Sequence, residues 1–332
     1  MVRIHHPRTI LRLLRHPVMT LGLVNRWYSH KNITRSYLRE LHEGFKDILN
    51  TRPLPCTPDA AVELHTLTSH AHLFMYLTAV KSLLRFEHNV AVVAHDGDGD
   101  ITGDDIRILK EHVPGIRVID RKSADAQMKG ILADHPVCAD YRSRVVNALE
   151  LLDNLLLSRT TAVMTMNSDV LFLKRPEQLI TWLRDTTGTI IYVHENKPAS
   201  QKKFLDDLGC GFPPHVTLAL VCLHKSIADL DLVEQTLRET RYLASHLWAI
   251  GQCAYPVLLE RASRTHTITT FDKTVFDASG VFTDAAVFRH YWSSTGLFTD
   301  IHLADAKKVM DDLKNSTKTT GSTDGVCRAG GT

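Results

Sequence analysis

The stretch Asn167-Ser168-Asp169 places an amide and a carboxylate two residues apart, between apolar runs at 161–166 and 170–173. In an extended loop, side chains two residues apart point to the same side. Oxygen donors in this arrangement suit a hard divalent cation, Mg²⁺ or Mn²⁺, which keeps some waters for a phosphate partner. Asn, Ser and Asp are also common turn residues, so a turn that closes a buried strand is the alternative.

Two other predicted strands also end in polar residues, at 64–70 and 94–100. Functional residues of a parallel sheet gather at the carboxyl ends of its strands, so the three polar ends predict one site. The run after Asp96 superficially matches a calcium loop. Its sixth and twelfth positions, which need Gly and an acid, are Ile101 and Arg107, and this excludes an EF-hand.

The hydrophobic periodicity between these runs alternates between strand and helix. Thr102 followed by Asp105 is a capping box, which predicts the start of a helix. Strands are predicted at 60–68, 90–95, 116–120, 161–166, 188–194, 216–223 and 264–270. Helices are predicted at 71–86, 102–113, 176–185, 229–241 and 245–260, with two more between 123 and 158 that are separated near His135-Pro136.

Short elements that alternate in this way predict an α/β fold with a mixed, mostly parallel sheet flanked by helices. We expect the folded domain to cover residues 60–310. A basic helical segment and a proline-containing linker precede it over residues 1–59. The polar tail at 311–332 is expected to be disordered.

Composition and motifs exclude several classes of protein. With 44% hydrophobic and 23% charged residues and a net charge of +2, the 332-residue chain resembles an ordinary soluble globular protein. It contains no phosphate-binding P-loop motif, which excludes a P-loop kinase, and no basic aromatic pattern that would indicate a nucleic-acid partner. Six scattered cysteines without a C-x-x-C pair indicate buried free thiols, and we expect a cytoplasmic protein.

The first 50 residues are basic, with nine Lys and Arg against three acids, and no acid precedes Glu40. Apolar residues at helical spacing between the arginines predict an interfacial helix that contacts anionic lipid, and hence peripheral membrane contact through residues 1–50. A helix packed on the domain with solvated arginines is the alternative. Deletion of residues 1–50 is expected to leave the fold unchanged.

Four segments together carry a resemblance to a known family. They are MTMNSDVLFLKRP at 164–176, LTSHAHLFMYLTAVKSLLRF at 67–86, the strand-loop-helix-strand segment at 91–119, and VFRHYWSSTGLF at 287–298. The chain resembles the GT-A-type nucleotide-sugar glycosyltransferases of the bacterial sort, with Asn-Ser-Asp in the place of their Asp-x-Asp motif. The resemblance implies a GT-A fold and transfer of a sugar from a UDP- or GDP-linked donor to a glycan, lipid or protein acceptor.

The resemblance also implies roles for individual residues. A Mn²⁺ or Mg²⁺ ion would bridge the two donor phosphates through Asn167, Asp169 and His290. Asp169 would be the principal catalytic residue, and Glu195 a weak candidate for the general base. The donor-binding residues implied are Thr66, Thr68, Asp96, Arg144, Asn167 and Ser168. For Arg144, a solvated position on a helix is the alternative.

Several positions depart from the family pattern. Asn167 replaces the first Asp, Glu150 stands where relatives often have Lys, and Gly251 stands where an acid is common. The strand at 215–223 lacks the Asn-Ser-Gly of many relatives. A catalytically impaired relative that binds a nucleotide sugar or a partner is therefore the alternative function. A sugar-phosphate nucleotidyltransferase is disfavoured because no Gly-rich loop follows the first strand.

Overall fold

The computed structural model describes residues 39–195, 199–213, 216–240, 247–278, 280, 282–292 and 297–315. Its strands are β1 Val62–Thr68, β2 Ala91–Asp96, β3 Arg117–Ile119, β4 Ala162–Met166, β5 Val170–Phe172, β6 Thr189–His194, β7 Val216–His224, β8 Thr267–Thr270, β9 Phe276–Asp277 and β10 Phe288–His290. Its numbered helices are α1 Leu73–Leu84, α2 Gly103–His112, α3 Arg121–Ile131, α4 Pro136–Arg144, α5 Asn147–Leu151, α6 Asp153–Leu156, α7 Glu177–Arg184, α8 Ala199–Asp207, α9 Leu230–Thr240, α10 Leu247–Ala262 and α11 Thr299–Asn315. Helical residues 39–45 precede them.

The main sheet has seven strands in the order β3-β2-β1-β4-β7-β6-β8. β7 runs antiparallel to both of its neighbours, and every other adjacent pair is parallel. A small second sheet has the order β5-β10-β9, in which β10 is antiparallel to β5 and parallel to β9. The predicted α/β class, with a mixed and mostly parallel sheet flanked by helices, is confirmed.

Hydrophobic cores lie on both faces of the main sheet. Side chains alternate between the faces of a strand, so consecutive residues enter different cores. Leu64 and Val92 belong to one core cluster, which includes α1 and α11, whereas Val93 and Val163 belong to another, which includes α3 to α6. The nearly continuous apolar runs of β2 and β4 follow from this burial on both faces.

A buried polar chain crosses the first three strands. Glu63, only 3% exposed, accepts hydrogen bonds from Arg117 Nη2 at 2.5 Å and Ser158 Oγ at 2.8 Å. His65 Nε2 lies 3.0 Å from Glu63 Oε2, and His65 Nδ1 lies 2.8 Å from His95 Nε2. Burial lowers the pKa of both histidines, so both rings are neutral at pH 7. The chain ties β1, β2 and β3 together beneath the polar strand ends.

Most predicted helices are present, and one region differs. The capping box is confirmed, with Thr102 Oγ1 accepting from Asp105 N at 3.2 Å and Asp105 Oδ2 accepting from Thr102 N at 2.8 Å. Between 123 and 158 the predicted break near His135-Pro136 is confirmed, because α4 begins at Pro136, but the predicted number of two helices is wrong, since α3, α4, α5 and α6 cover this region. α4 ends because Val145 has an extended conformation, with φ −129° and ψ 114°.

The segment before the linker is part of the fold. Leu41, Phe45 and Ile48 are at most 1% exposed and pack in the same core cluster as α1 and α11. The expectation that residues 1–50 do not affect the fold is therefore wrong for this segment. Residues 1–38, which include the predicted interfacial helix, lie outside the described residues.

At the C-terminal end, the last helix extends beyond the predicted end of the domain at residue 310. α11 continues past residue 310 to Asn315, and residues 316–332 of the predicted tail lie outside the described residues. In the described ranges, no helix is long and apolar enough to cross a membrane. Four cysteines are buried and free there, namely Cys56, Cys138, Cys210 and Cys222.

Candidate functional site

The carboxyl ends of β1 and β2 lie side by side. Thr68 is the register partner of Asp96, and Gly97 N donates to Thr68 O at 2.8 Å. Thr66 and Thr68 are 0% and 3% exposed, and neither hydroxyl has a hydrogen-bond partner within the described part of the chain. Both hydroxyl oxygens are closed to solvent, so a polar ligand can reach them only after neighbouring side chains move, and binding would then remove the free-energy cost of a buried hydroxyl without a partner.

The loop after β2 is held by its own backbone. Asp96 Oδ1 accepts from Gly99 N at 2.8 Å and from Asp100 N at 3.2 Å, and Gly99 has a φ of 74°, which glycine adopts without strain. Arg121 Nη1 donates to Gly97 O at 2.8 Å. Burial raises the pKa of Asp96. The loop therefore presents its acidic residues in one fixed arrangement.

The structure brings Asp169 and His290 together. Asp169 lies directly before β5 and His290 ends β10, and these strands pair with His290 opposite Val170. Asp169 Oδ1 lies 3.3 Å from His290 Nε2, and Tyr291 N donates to Asp169 O at 3.0 Å. Two of the three predicted metal ligands are therefore in direct proximity, although 121 positions of sequence separate them.

Asn167 and Ser168 occupy the loop between β4 and β5, and both are half-buried. Asn167 N donates to Ala219 O on β7 at 3.2 Å, which anchors the loop to the main sheet. Across the described residues, no group of three His, Cys, Asp or Glu side chains could hold a metal. The candidate ligand set therefore needs the amide of Asn167 as its third member.

The Asp169 and His290 pair fits a shared divalent ion. Neighbouring ligands of an octahedral ion with bonds of about 2.1 Å are about 3 Å apart, close to the 3.3 Å observed between Oδ1 and Nε2. The other ring nitrogen of His290, Nδ1, is buried and has no hydrogen-bond partner in the described ranges. The nitrogen that faces the carboxylate of Asp169 is Nε2.

Glu150 introduces a second acidic group beside this pair. It lies on α5, is half-buried, and interacts electrostatically with both Asp169 and His290. Burial is the largest effect that raises the pKa of Glu150, to about 7, and the charge of Asp169 adds to it. Tyr255 OH donates to Glu150 O at 3.0 Å, which connects α10 to this part of the site.

The positions of Arg144 and Glu195 do not test the roles predicted for them. Arg144 ends α4, its side chain is 63% exposed, and its Nε donates to Asp140 at 2.8 Å, as the alternative of a solvated helix residue expects. Glu195 directly follows β6, so it lies at the same edge of the sheet as Thr68 and Asp96. The donor-binding role of Arg144 and the catalytic role of Glu195 stay predictions.

Two buried residues of α11 that the sequence analysis did not single out contact the chain on either side of His290. Asp305 and His302 are buried on α11, where His302 stacks on the ring of Tyr291 at 4.0 Å between centroids. Asp305 contacts both residues that flank His290. The only available signal was a pair of polar residues on the apolar face of α11, which also carries Val309 and Leu313.

Trp292 packs against the candidate metal ligand His290. It has a φ of 46°, a left-handed conformation that is strained for a bulky side chain. Its ring lies edge-on to that of His290, with 6.2 Å between centroids. Backbone strain of this kind concentrates at functional sites, and here it lies two residues after His290 in the chain.

Comparisons with known proteins give structural neighbours only. No family model and no curated protein matches the chain. A solved galactosyltransferase, LgtC in complex with donor and acceptor sugar analogs, is 11% identical, with a TM-score of 0.47 over 74% of this chain and 95% of that chain. The bifunctional glycosyltransferase WbbM is 10% identical, with a TM-score of 0.48 over 77% of this chain and 52% of that chain.

A third neighbour is core-mannan synthase A from Aspergillus fumigatus, solved in an Mn/GDP form. It is 8% identical, with a TM-score of 0.43 over 69% of this chain and 79% of that chain. These neighbours belong to the class of enzyme that the sequence resembles. Because all three TM-scores are below 0.5, the functional proposal rests on the residues of this chain.

Proposed function

We propose that this protein is a metal-assisted glycosyltransferase that takes a sugar from a UDP- or GDP-linked donor. The observation that carries the proposal is the 3.3 Å contact between Asp169 Oδ1 and His290 Nε2. It joins two ligand types from distant parts of the chain, and Asn167 lies two residues before Asp169 in the same loop. The neighbouring strand ends carry two buried hydroxyls, on Thr66 and Thr68, that lack partners in the described residues.

Each group has a role in this proposal. Asp169, His290 and Asn167 would hold Mn²⁺ or Mg²⁺, and the ion would stabilise the charge that develops on the departing nucleoside diphosphate. Thr66, Thr68 and Asp96 would bind the nucleoside part of the donor, to which Ser168 and Arg144 would add further contacts. Glu195 is proposed as the general base that accepts the proton of the acceptor hydroxyl.

A second function is favoured by Glu150. With a pKa of about 7, Glu150 is charged in roughly half of the molecules at pH 7, and its charged form opposes the approach of a diphosphate, because like charges repel at short range. This arrangement would suit a protein that binds a nucleotide sugar or a partner but transfers sugar poorly. A cytoplasmic location, peripheral membrane contact through residues 1–50, and a glycan, lipid or protein acceptor complete the proposal.

Titration with UDP and GDP tests the proposal directly. We expect one of them to bind in the presence of Mn²⁺ and to lose its affinity in excess EDTA, because Asp169 and His290 would hold the ion that compensates the charge of the diphosphate. Calorimetry at constant ionic strength measures this, with ADP as the control for unspecific phosphate binding. A diphosphate that binds equally well in EDTA would remove the metal from the proposal.

Asn167→Asp should tighten Mn²⁺ binding by roughly tenfold, or about 1.4 kcal/mol. The reason is that a carboxylate adds a full negative charge where the amide offers one neutral oxygen, and affinity for hard cations rises with the number of charged ligands. Mn²⁺ titration of the variant and of the wild-type protein measures the change. Asn167→Ala is the matched control and should weaken binding.

Turnover of the same variant separates the two functions. Gain of both Mn²⁺ affinity and donor hydrolysis supports the transferase. Gain of affinity without turnover of any UDP- or GDP-sugar supports the binding protein, with Glu150 as the first residue to replace. If neither Asn167→Asp nor Asn167→Ala changes the affinity for Mn²⁺, Asn167 is not a ligand.

A further inference from the structure

The candidate ligand His290 is the last residue of β10, and the two residues that flank it in the chain point the other way. Side chains alternate along an extended chain, so Arg289 and Tyr291 lie on the face opposite to His290. Both reach the same carboxylate oxygen, with Arg289 Nη1 at 2.5 Å and Tyr291 OH at 2.9 Å from Asp305 Oδ2. One buried carboxylate thus holds the chain on both sides of His290.

Asp305 is itself firmly placed. It lies on α11, is 3% exposed, and its second oxygen, Oδ1, accepts from Lys308 Nζ at 3.1 Å. One turn earlier on α11, His302 stacks on Tyr291 with only 7° between the rings. Burial lowers the pKa of His302 to about 3, so the stacked ring is neutral. The helix α11 therefore holds the chain around His290 through two contacts, the carboxylate of Asp305 and the stacked ring of His302.

The same support reaches the other ligand candidate. Tyr291, which Asp305 holds through its hydroxyl, donates its backbone N–H to Asp169 O at 3.0 Å. Asp305 is therefore linked to His290 through its chain neighbours and to Asp169 through Tyr291. Arg289 also donates to Thr283 O, so the guanidinium is fixed from a second direction.

We infer that Asp305 is a positioning residue that sets the separation of Asp169 and His290, so that the two can share one divalent ion. This inference deepens the proposed function and rests on it as far as the ion is concerned. Without the carboxylate, the buried guanidinium of Arg289 and the hydroxyl of Tyr291 lose their shared acceptor, and β10 can shift relative to β5. Loss of an outer partner of this kind typically lowers metal affinity by about 10–100-fold.

The test compares Asp305→Asn with Asp311→Asn, the same chemical change at an exposed position of the same helix. Asp305→Asn is expected to raise the dissociation constant for Mn²⁺ by about 10–100-fold, whereas Asp311→Asn leaves it unchanged. Tyr291→Phe removes one of the two hydrogen bonds but keeps the ring stacked on His302, so a smaller change in the same direction is expected. If Asp305→Asn does not fold, Tyr291→Phe alone tests the positioning role of Asp305.

A readout that needs no metal is the rate at which diethylpyrocarbonate labels His290, followed by mass spectrometry of the apo protein. His290 is 7% exposed, whereas His65 and His95 are at most 1% exposed and serve as internal controls for unfolding. We expect Asp305→Asn to speed labelling of His290 severalfold and to leave His65 and His95 protected. Faster labelling of all three would show a merely structural role and would overturn the inference.

The two readouts separate this inference from the proposed function. If the wild-type protein binds no Mn²⁺, the proposed function fails, while faster labelling of His290 alone still supports the positioning role of Asp305. If Asp305→Asn and Tyr291→Phe both match Asp311→Asn in labelling and in Mn²⁺ affinity, the positioning role is refuted.

Discussion

Replacing Asp169 with alanine should abolish measurable binding of Mn²⁺ and, with it, binding of UDP and GDP. Asp169 is the only acid of the Asn167-Ser168-Asp169 loop, and its Oδ1 faces His290 Nε2 at 3.3 Å. Removal of a direct ligand should cost more than the 10–100-fold in metal affinity that loss of an outer partner costs, so we expect a loss of at least about 100-fold. Calorimetric titration with Mn²⁺, and then with each diphosphate, measures both effects.

The control is Asp134→Ala, an exposed acid in the turn after α3. It changes the net charge of the protein by the same amount and should leave both affinities unchanged. Equal binding by Asp169→Ala and the wild-type protein would mean that the loop is only a turn between β4 and β5. In that case the metal site at Asp169 and His290, and the proposed function that rests on it, would be refuted.

Local patterns explain why so much of the sheet could be predicted. β2 and β4 are short, mostly apolar strands with polar residues at or directly after their carboxyl ends, and burial on both faces gives such strands their composition. The capping box of Thr102 and Asp105 depends on residues three positions apart, so it is visible in the sequence. The prediction that Thr68 and Asp96 share one edge follows from parallel pairing alone, and the register confirms it.

Strand direction and long-range contacts could not be predicted in the same way. β7 is buried along most of its length, and a continuous apolar run has the same composition whether the strand runs parallel or antiparallel. The contact of Asp169 with His290 joins strands that are far apart in the chain, and it was anticipated only through the family resemblance. The role of Asp305 could not be predicted from the sequence, because it contacts Arg289 and Tyr291 only through the packing of α11 in the folded protein.

In the N-terminal segment, the positive charge was noticed from the sequence, but the residues that pack in the core were missed. Residues 1–50 attract notice through their excess of Lys and Arg, yet Leu41, Phe45 and Ile48 occupy the core. Their spacing of three to four residues is helical, but the segment is too short for its periodicity to stand out beside the charges. Phe45 lies edge-on to His302 at 4.7 Å, and so packs against the helix that also carries Asp305.

Deleting residues 1–50 should therefore strongly destabilise the protein relative to deletion of residues 1–38, which keeps every described contact. Full burial of a Leu, Ile or Phe side chain is worth roughly 1.5–3 kcal/mol each, so loss of Leu41, Phe45 and Ile48 should cost about 5 kcal/mol or more. The total stability of a typical domain is about 5–15 kcal/mol. Urea denaturation of the two shortened proteins, followed by circular dichroism, measures the difference.

Phe45→Ala in the full-length chain is the matched point variant, and it should lower the free energy of unfolding by about 3–5 kcal/mol. Binding to anionic vesicles at low salt separates the two roles of the N-terminus. Residues 1–38 contain seven Lys and Arg and no acid, so their deletion should weaken vesicle binding if this segment contacts lipid. Phe45→Ala leaves all of these charges in place and should not weaken it. Equal denaturation midpoints for the proteins that lack residues 1–38 and 1–50 would show that the packing of Phe45 and its neighbours contributes nothing to stability.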